Sequence, residues 1–255
     1  MKLLEKSTVP NLQRGMAILE FLATHQNSAT IAELSEQLGY PSASVFRIMQ
    51  ELENLGYLMR DLASKRYSLT SKFLLLGQPQ GESRSLIEAS TGAMRGLNRQ
   101  TGETTQLLCL VETHSVVIEQ FISTYPFKYS AQLGARCPAY SCAPGKVMIA
   151  FLPEDEREEL ISRMKFKQFT STTITDRTAF RAELDQIVKC GYAVDRAEGL
   201  EGIHCVAAVI RDRHDFPAGA ITIAAPSSRL PRSQFAEMGK CITEFARQAE
   251  VAYQS

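Results

Sequence analysis

Two short stretches of this chain carry side chains suited to nucleic-acid contact. Ser42, Ala43, Ser44 and Arg47 occupy the first turn and a half of a helical pattern, and they face outward if Val45, Ile48 and Met49 take the core side. Hydroxyls at a helix start can bond phosphates or base edges, and an arginine guanidinium can fork onto a guanine or clamp a phosphate. A plainer reading gives Ser42 a capping role and Arg47 a surface ion pair with Glu51. Phe46 can touch a thymine methyl or pack against a preceding helix. Further on, Lys65 and Arg66 can contact a phosphate backbone or serve as solvated turn charges.

The elements that would position these groups are legible in the spacing. Thr30 is placed to cap a helix, with Glu33 three residues on to complete a capping box. Ile31, Leu34 and Leu38 share one helical face, Gly39 suits a left-handed helix end, and Pro41 stops its resumption. A second helix begins at Ser42, carries Val45, Ile48, Met49, Leu52 and Leu55 on its apolar side, and ends at Gly56. The spacing over residues 11–25 predicts an earlier helix with Leu12, Met16, Leu19 and Leu22 inward and Ile18 broadening the stripe. After Gly56, Tyr57 to Arg60 and Lys65 to Leu69 read as two strands about the polar turn 61–64. Three helices and a two-stranded ribbon make a winged helix-turn-helix, which sets its second helix in the DNA major groove.

Composition allows this reading without demanding it. The chain has 255 residues, 44% apolar and 22% charged, with 28 basic and 28 acidic side chains. A neutral chain argues mildly against nucleic-acid binding. Locally, however, Arg60, Lys65, Arg66 and Lys72 face only Asp61 across residues 60–72, so four minus one leaves +3. The longest apolar run, 206–210, is far short of the roughly 20 residues of a membrane span. Glu5 and Lys6 stand where a signal peptide needs an apolar core, so a cytoplasmic protein with no membrane partner is expected. The six cysteines form no C-x-x-C pair and no zinc spacing, and no metal or cofactor is expected. In a cytosolic protein they are most simply small buried side chains. His204 next to Cys205 suggests an activated thiolate, but adjacent strand residues point to opposite faces.

Past a Gly/Pro/Gln cluster at 77–81 that reads as a linker, the periodicity changes. A helix over about 84–100 precedes a hairpin of 105–111 and 116–122. Helices over 144–151, 154–164 and 176–190 follow, the last with Phe180, Leu184, Ile187 and Val188 on one face. Strands at 192–194, 205–211 and 220–225 and a closing helix over 233–253 complete an α+β domain on a mostly antiparallel sheet.

These residues resemble the IclR family of bacterial transcription regulators. The likeness in the first half lies in Arg14, in Asn54-Leu55-Gly56-Tyr57-Leu58 and in the Arg66-to-Leu69 wing. In the second half it lies in Thr101-Gly102-Glu103-Thr104, Gly145-Lys146, Phe151-Leu152-Pro153-Glu154, Thr173-Ile174-Thr175-Asp176 and Gly191-Tyr192-Ala193-Val194-Asp195. Gly191, Asp195, Glu198, Cys205, Val206, Ala207, Ile210 and Asp212 fit the family signature, with Arg211 departing from it.

The resemblance implies a winged helix-turn-helix domain over 8–72, a linker helix region over 73–88 and a GAF-like effector-binding domain over 89–255. It implies a homodimer or dimer of dimers on a palindromic double-stranded operator, most simply as repressor of a catabolic operon, controlled by a small, often acidic or aromatic metabolite. It adds Arg14 to the DNA-binding residues. It places effector contacts at Tyr129, Cys137, Ala143, Pro144, Asp195, Ile203, Cys205, Thr222 and Ala224. The chain departs from the small-acid binders, because Thr222-Ile223-Ala224 replaces their Ser-x-Ser and Pro144 removes a backbone donor. A larger or less polar ligand is therefore expected. The competing class is a GAF-type enzyme using Cys137, Cys142 or Cys205 as nucleophile, for which the sequence shows neither base nor resolving pair.

Overall fold

A computed structural model describes residues 9–24, 28–77 and 84–255 of the chain. The start of the chain, His25 at the end of the first helical pattern and most of the linker cluster lie outside these. The chain divides into two compact units, Met1–Gln78 and Pro79–Ser255.

The first unit packs α1 (Pro10–Thr24), α2 (Ile31–Leu38) and α3 (Ser42–Asn54) against a hairpin of β1 (Leu58–Arg60) and β2 (Tyr67–Leu69), followed by α4 (Lys72–Gly77). The Thr30 capping box forms: Thr30 Oγ1 accepts from the Glu33 amide at 3.3 Å, and a Glu33 oxygen accepts from the Thr30 amide at 2.8 Å. Gly39 takes φ 67° and ends α2. The unit closes around Ile18, Leu22, Leu34, Val45, Met49, Leu58 and Tyr67.

Three expected core positions fall outside that cluster. The α1 stripe is rotated: Gly15, Ile18 and Leu22 face inward, whereas Leu12 and Met16 are exposed. Both sets obey helical spacing, and contact with α3 selects between them. Leu55 lies past the last turn of α3, as its cap, and is exposed too.

The second unit is a six-stranded antiparallel sheet in the order β5-β4-β3-β8-β7-β6. Its strands are β3 (Thr104–Val111), β4 (His114–Phe121), β5 (Arg136–Pro138), β6 (Ala193–Arg196), β7 (Ile203–Arg211) and β8 (Pro217–Pro226). Helices α5 (Leu86–Thr101) and α9 (Phe235–Gln254) cover one face. On the other lie α6 (Ala143–Ala150), α7 (Glu154–Arg163) and α8 (Arg177–Cys190). Alternation along the strands sorts the two cores. Val206, Ala208, Ile210, Ile221 and Ile223 meet α5 and α9, while Cys205, Ala207, Val209, Ala220 and Ala224 meet the α6 side. Val188, expected inward on α8, is exposed, because Phe180, Leu184 and Ile187 already fill the stripe. Among the described residues no helix is long and apolar enough to cross a membrane.

Candidate functional site

In the first unit the start of α3 is held by polar contacts that separate the expected DNA-facing residues into two groups. Ala43, Phe46 and Arg47 are exposed, and Phe46, at 45% exposure, does not pack into the core. Arg47 donates from Nε to the Ala43 carbonyl at 3.3 Å, and the ion pair with Glu51 does not form. Ser42 is exposed as well, but it is the first helical residue after Pro41 and not the cap. Its hydroxyl lies 2.9 Å from that of Ser35, which in turn donates to the Tyr40 carbonyl.

Ser44 is corrected by the structure: it is buried, facing α1, where Arg14 Nη1 donates to its hydroxyl at 3.0 Å. Arg14 also lies over the Tyr40 ring. This pair stitches α1 to α3.

The two wing cations also part company. Lys65 is exposed at the tip and holds a positive φ of 58°. Arg66 is turned back into its own domain, with three bonds that occupy its guanidinium. It donates to Ser28 Oγ at 3.0 Å, to the Ser28 carbonyl at 2.9 Å and to Glu33 at 2.9 Å. The paired backbones of Ala29 and Tyr67 run alongside. Arg66 is thus a brace between the wing and the start of α2.

In the second unit a cavity of about 160 Å³ opens between the sheet and the start of α6. At roughly 10–15 Å³ per water, this is room for a ligand on the order of ten non-hydrogen atoms. Of the expected effector residues, Tyr129, Cys137, Pro144, Asp195, Ile203, Cys205 and Thr222 line it. Ala143 and Ala224 do not; both are buried in the core beneath. Gln106 and Leu108 on β3, Val117 on β4, and Ser141, Cys142 and Phe169 also line the cavity, although the resemblance did not mark them. Leu108 and Val117 have the apolar character of ordinary core and Gln106 that of an ordinary polar strand residue, so no local signal marked them.

Sheet register explains the grouping. Asp195 pairs with Cys205, and Thr222 lies opposite both Gln106 and Ala207, so these side chains emerge on the cavity face. His204 faces the other way, 2.8 Å from the Leu230 carbonyl and edge-on to Phe235. It cannot act as a base for Cys205.

Among the described residues, Asp195 is the one charged residue in the lining, and no lysine, arginine or histidine joins it there. Burial, then the neighbouring Glu198 charge, push its carboxyl up to about 7. The Glu198 amide, donating at 2.6 Å, pulls the other way without prevailing. Burial likewise lifts the Tyr129 phenol to about 12 and the Cys205 thiol well above its ordinary range.

Behind this wall Lys146 is fully buried, 2.6 Å from Glu198 and 3.1 Å from Glu183. Arg196 completes the cluster at 2.9 Å from Glu183. Burial pushes the Glu183 carboxyl up, but Lys146 and Arg196 together hold it below the usual range. The cluster locks α6, α8 and the β6–β7 turn together.

A pH-dependent stability follows from Asp195. The folded protein holds this proton more tightly than the unfolded chain, whose carboxyl titrates near 3.8. The stabilising contribution is therefore full below about pH 4 and is lost as pH rises through about 7. Asp195→Asn keeps an acceptor for the Glu198 amide but cannot ionise. Its melting temperature relative to wild type should climb between about pH 4 and pH 7 and level off above. A difference that stays flat with pH would contradict the assignment.

A helix-turn-helix with a wing, together with a sheet domain enclosing a ligand-sized cavity, defines the class of ligand-responsive DNA-binding regulators. The chain belongs to the IclR family of bacterial transcriptional regulators: residues 81–251 match the family's C-terminal domain and residues 11–62 its helix-turn-helix domain. It is 31% identical over 251 residues to the HTH-type transcriptional regulator KdgR of Escherichia coli, covering 98% of this chain and 95% of that protein. With the transcriptional repressor IclR of Escherichia coli it shares 27% identity over 247 residues, 96% of this chain and 90% of that one. The crystal structure of the Thermotoga maritima IclR superposes with a TM-score of 0.71 at 25% identity, covering 96% and 99% of the two chains. An IclR homolog from Microbacterium hydrocarbonoxydans, complexed with 4-hydroxybenzoate, shares the fold at a TM-score of 0.80 and 19% identity, with 95% and 98% covered.

Proposed function

We propose that this regulator represses a catabolic operon as a homodimer or dimer of dimers on a palindromic operator, and that a small molecule in the Asp195 cavity changes its operator affinity. The carrying observation is a ligand-sized cavity with, among the described residues, one buried acid and no basic side chain, in the same chain as a winged helix-turn-helix.

That lining sets the ligand class. A free carboxylate would meet Asp195 with no cation to pair it, and burying an unpaired charge is expensive. The start of α6 offers a ligand little compensation, since Pro144 supplies no N–H and the Gly145 amide is directed to Cys142. The ligand is therefore uncharged or cationic, about ten heavy atoms in size, with a hydroxyl or amine donor for Asp195 and apolar surface for Tyr129, Phe169 and Leu108. Thermal-shift titration with a metabolite panel tests this: stabilisation by neutral alcohols or amines is expected, and stabilisation by glyoxylate-sized acids alone would sink it.

On DNA, the exposed start of α3 (Ser42, Ala43, Phe46 and Arg47) enters the major groove and Lys65 reaches a phosphate. Two recognition helices read half-sites together, so a small change in their spacing alters affinity strongly. Lys65→Ala should weaken binding to all sequences alike and reduce the steepness of the salt dependence by about one ion. A loss confined to one operator sequence would argue against a phosphate role. Gel shift against the gene's own upstream region tests the function as a whole. Absence of any shift at low salt, with or without ligand, removes it.

A further inference from the structure

Two of the cavity's three cysteines are placed to react with each other. Cys137 Sγ, on the edge strand β5, donates to Cys142 Sγ at 3.4 Å. Cys142 is the residue that caps α6, with extended backbone angles and no polar side chain in the capping position. Its sulfur makes no regular capping bond, but it lies at the positive end of the helix, where the Gly145 amide favours negative charge. The Cys142 thiol is within donating reach of Ser115 Oγ at 3.5 Å and of the Ala139 carbonyl at 3.8 Å. A 3-10 turn, Ala139–Ser141, spans the two cysteines, so they face each other across a short loop.

We infer that Cys137 and Cys142 form an oxidative modification site for hydroperoxides that enter the cavity, closing to an intramolecular disulfide. The Cys142 thiolate attacks one oxygen of the hydroperoxide and the O–O bond breaks. The released alkoxide takes up the proton that Cys142 had lost and leaves as an alcohol. Cys142 is then a sulfenic acid, oxidised by two electrons, while the hydroperoxide is reduced. The Cys137 sulfur attacks the Cys142 sulfur, the S–O bond breaks, and hydroxide leaves with the Cys137 proton as water. Two thiols and one hydroperoxide thus give one disulfide, one alcohol and one water.

The roles follow from the surroundings. The hydrogen bond from Cys137 lowers the Cys142 pKa, and burial opposes this without cancelling it. The same bond, with burial, raises Cys137, which makes it the resolving thiol. Cys205 lines the same cavity but sits beside Asp195, and burial followed by that charge keeps it protonated. It is the unreactive member of the three.

The sequence makes the test clean. Trypsin releases both cysteines in one peptide, CPAYSCAPGK (residues 137–146), and exposed Cys190 in another, CGYAVDR (residues 190–196). The full-length protein is treated with hydrogen peroxide, residual thiols are alkylated, and the two peptides are followed by mass spectrometry. The 137–146 peptide should lose both alkylation sites and 2 hydrogens at least about tenfold faster than Cys190 is modified, and reduction should restore both. With Cys137→Ser, dimedone should trap a sulfenic acid on Cys142. With Cys142→Ser, Cys137 should stay alkylatable. Oxidation of Cys190 first, or sulfinic acid on Cys142 beside a free Cys137, would overturn the proposal. Neither readout depends on DNA binding, so the outcome is separate from that of the regulatory reading.

Discussion

Lys146→Met is expected to lower the stability of the protein by about 3–5 kcal/mol, the usual cost of removing one partner from a buried ion pair. The Lys146 ammonium has no solvent exposure and Glu198 has 2%. Methionine keeps most of the stem's packing, so the loss isolates the charge. Glu198 Oε2 is already buried without a hydrogen-bond partner, and losing Lys146 would take the closest partner from Oε1 as well. Arg196, at 3.7 Å from Glu198 and partly exposed, cannot substitute fully. Glu198→Gln in the Lys146→Met background should recover part of the loss, because it removes the stranded charge. Urea denaturation of the four proteins gives the coupling, expected at about 1–3 kcal/mol. Simple additivity would show that the two side chains do not act as a pair.

Gly145→Ala should be about as damaging, against the trend of helix propensity. Alanine in a helix is favoured over glycine by about 1 kcal/mol. At this position, however, an added Cβ would lie 2.2 Å from the Ala139 carbonyl oxygen and 2.5 Å from its Cα. Those atoms are backbone of the adjoining turn and cannot rotate away, so overpacking wins by about 3 kcal/mol or more. Gly92 in α5 supplies the contrast: nothing lies within 4 Å of its Cβ position. Gly92→Ala should stabilise by about 0.5–1 kcal/mol. Denaturation midpoints that move the same way for both variants would show that the approach of α6 to residue 139 is not tight.

Features governed by neighbours in the chain were legible in the sequence. The Thr30–Glu33 box, the Gly39 end of α2 and the alternation that sorts β7 and β8 depend on residues a few positions apart. Features chosen by a distant partner were not. Leu12 and Met16 lie on as good a helical stripe as Ile18 and Leu22, and only the docking of α3 decides between them. Ser44 and Arg66 carry types that suit DNA contact, but Arg14 and the Ser28–Glu33 corner claim them first. Strand β5 has three residues and exists through its pairing with β4. The 3-10 turn after β5 brings Cys137 and Cys142 together, and their spacing alone carried no sign that the two sulfurs would face each other. Lys146 showed only as half of a Gly-Lys likeness, since nothing local distinguishes a buried lysine from a surface one.

The buried ion cluster has a consequence for how ligand preference can drift over evolutionary time. It fixes one wall of the cavity, because Glu198, bonded to Lys146, also holds Asp195 through its amide. Changes there cost the fold before they can change the ligand. Other lining residues, among them Tyr129, Cys137 and Phe169, contribute no charge to that cluster. New ligands should accordingly be acquired by replacing these three, while the acid that greets them is inherited unchanged.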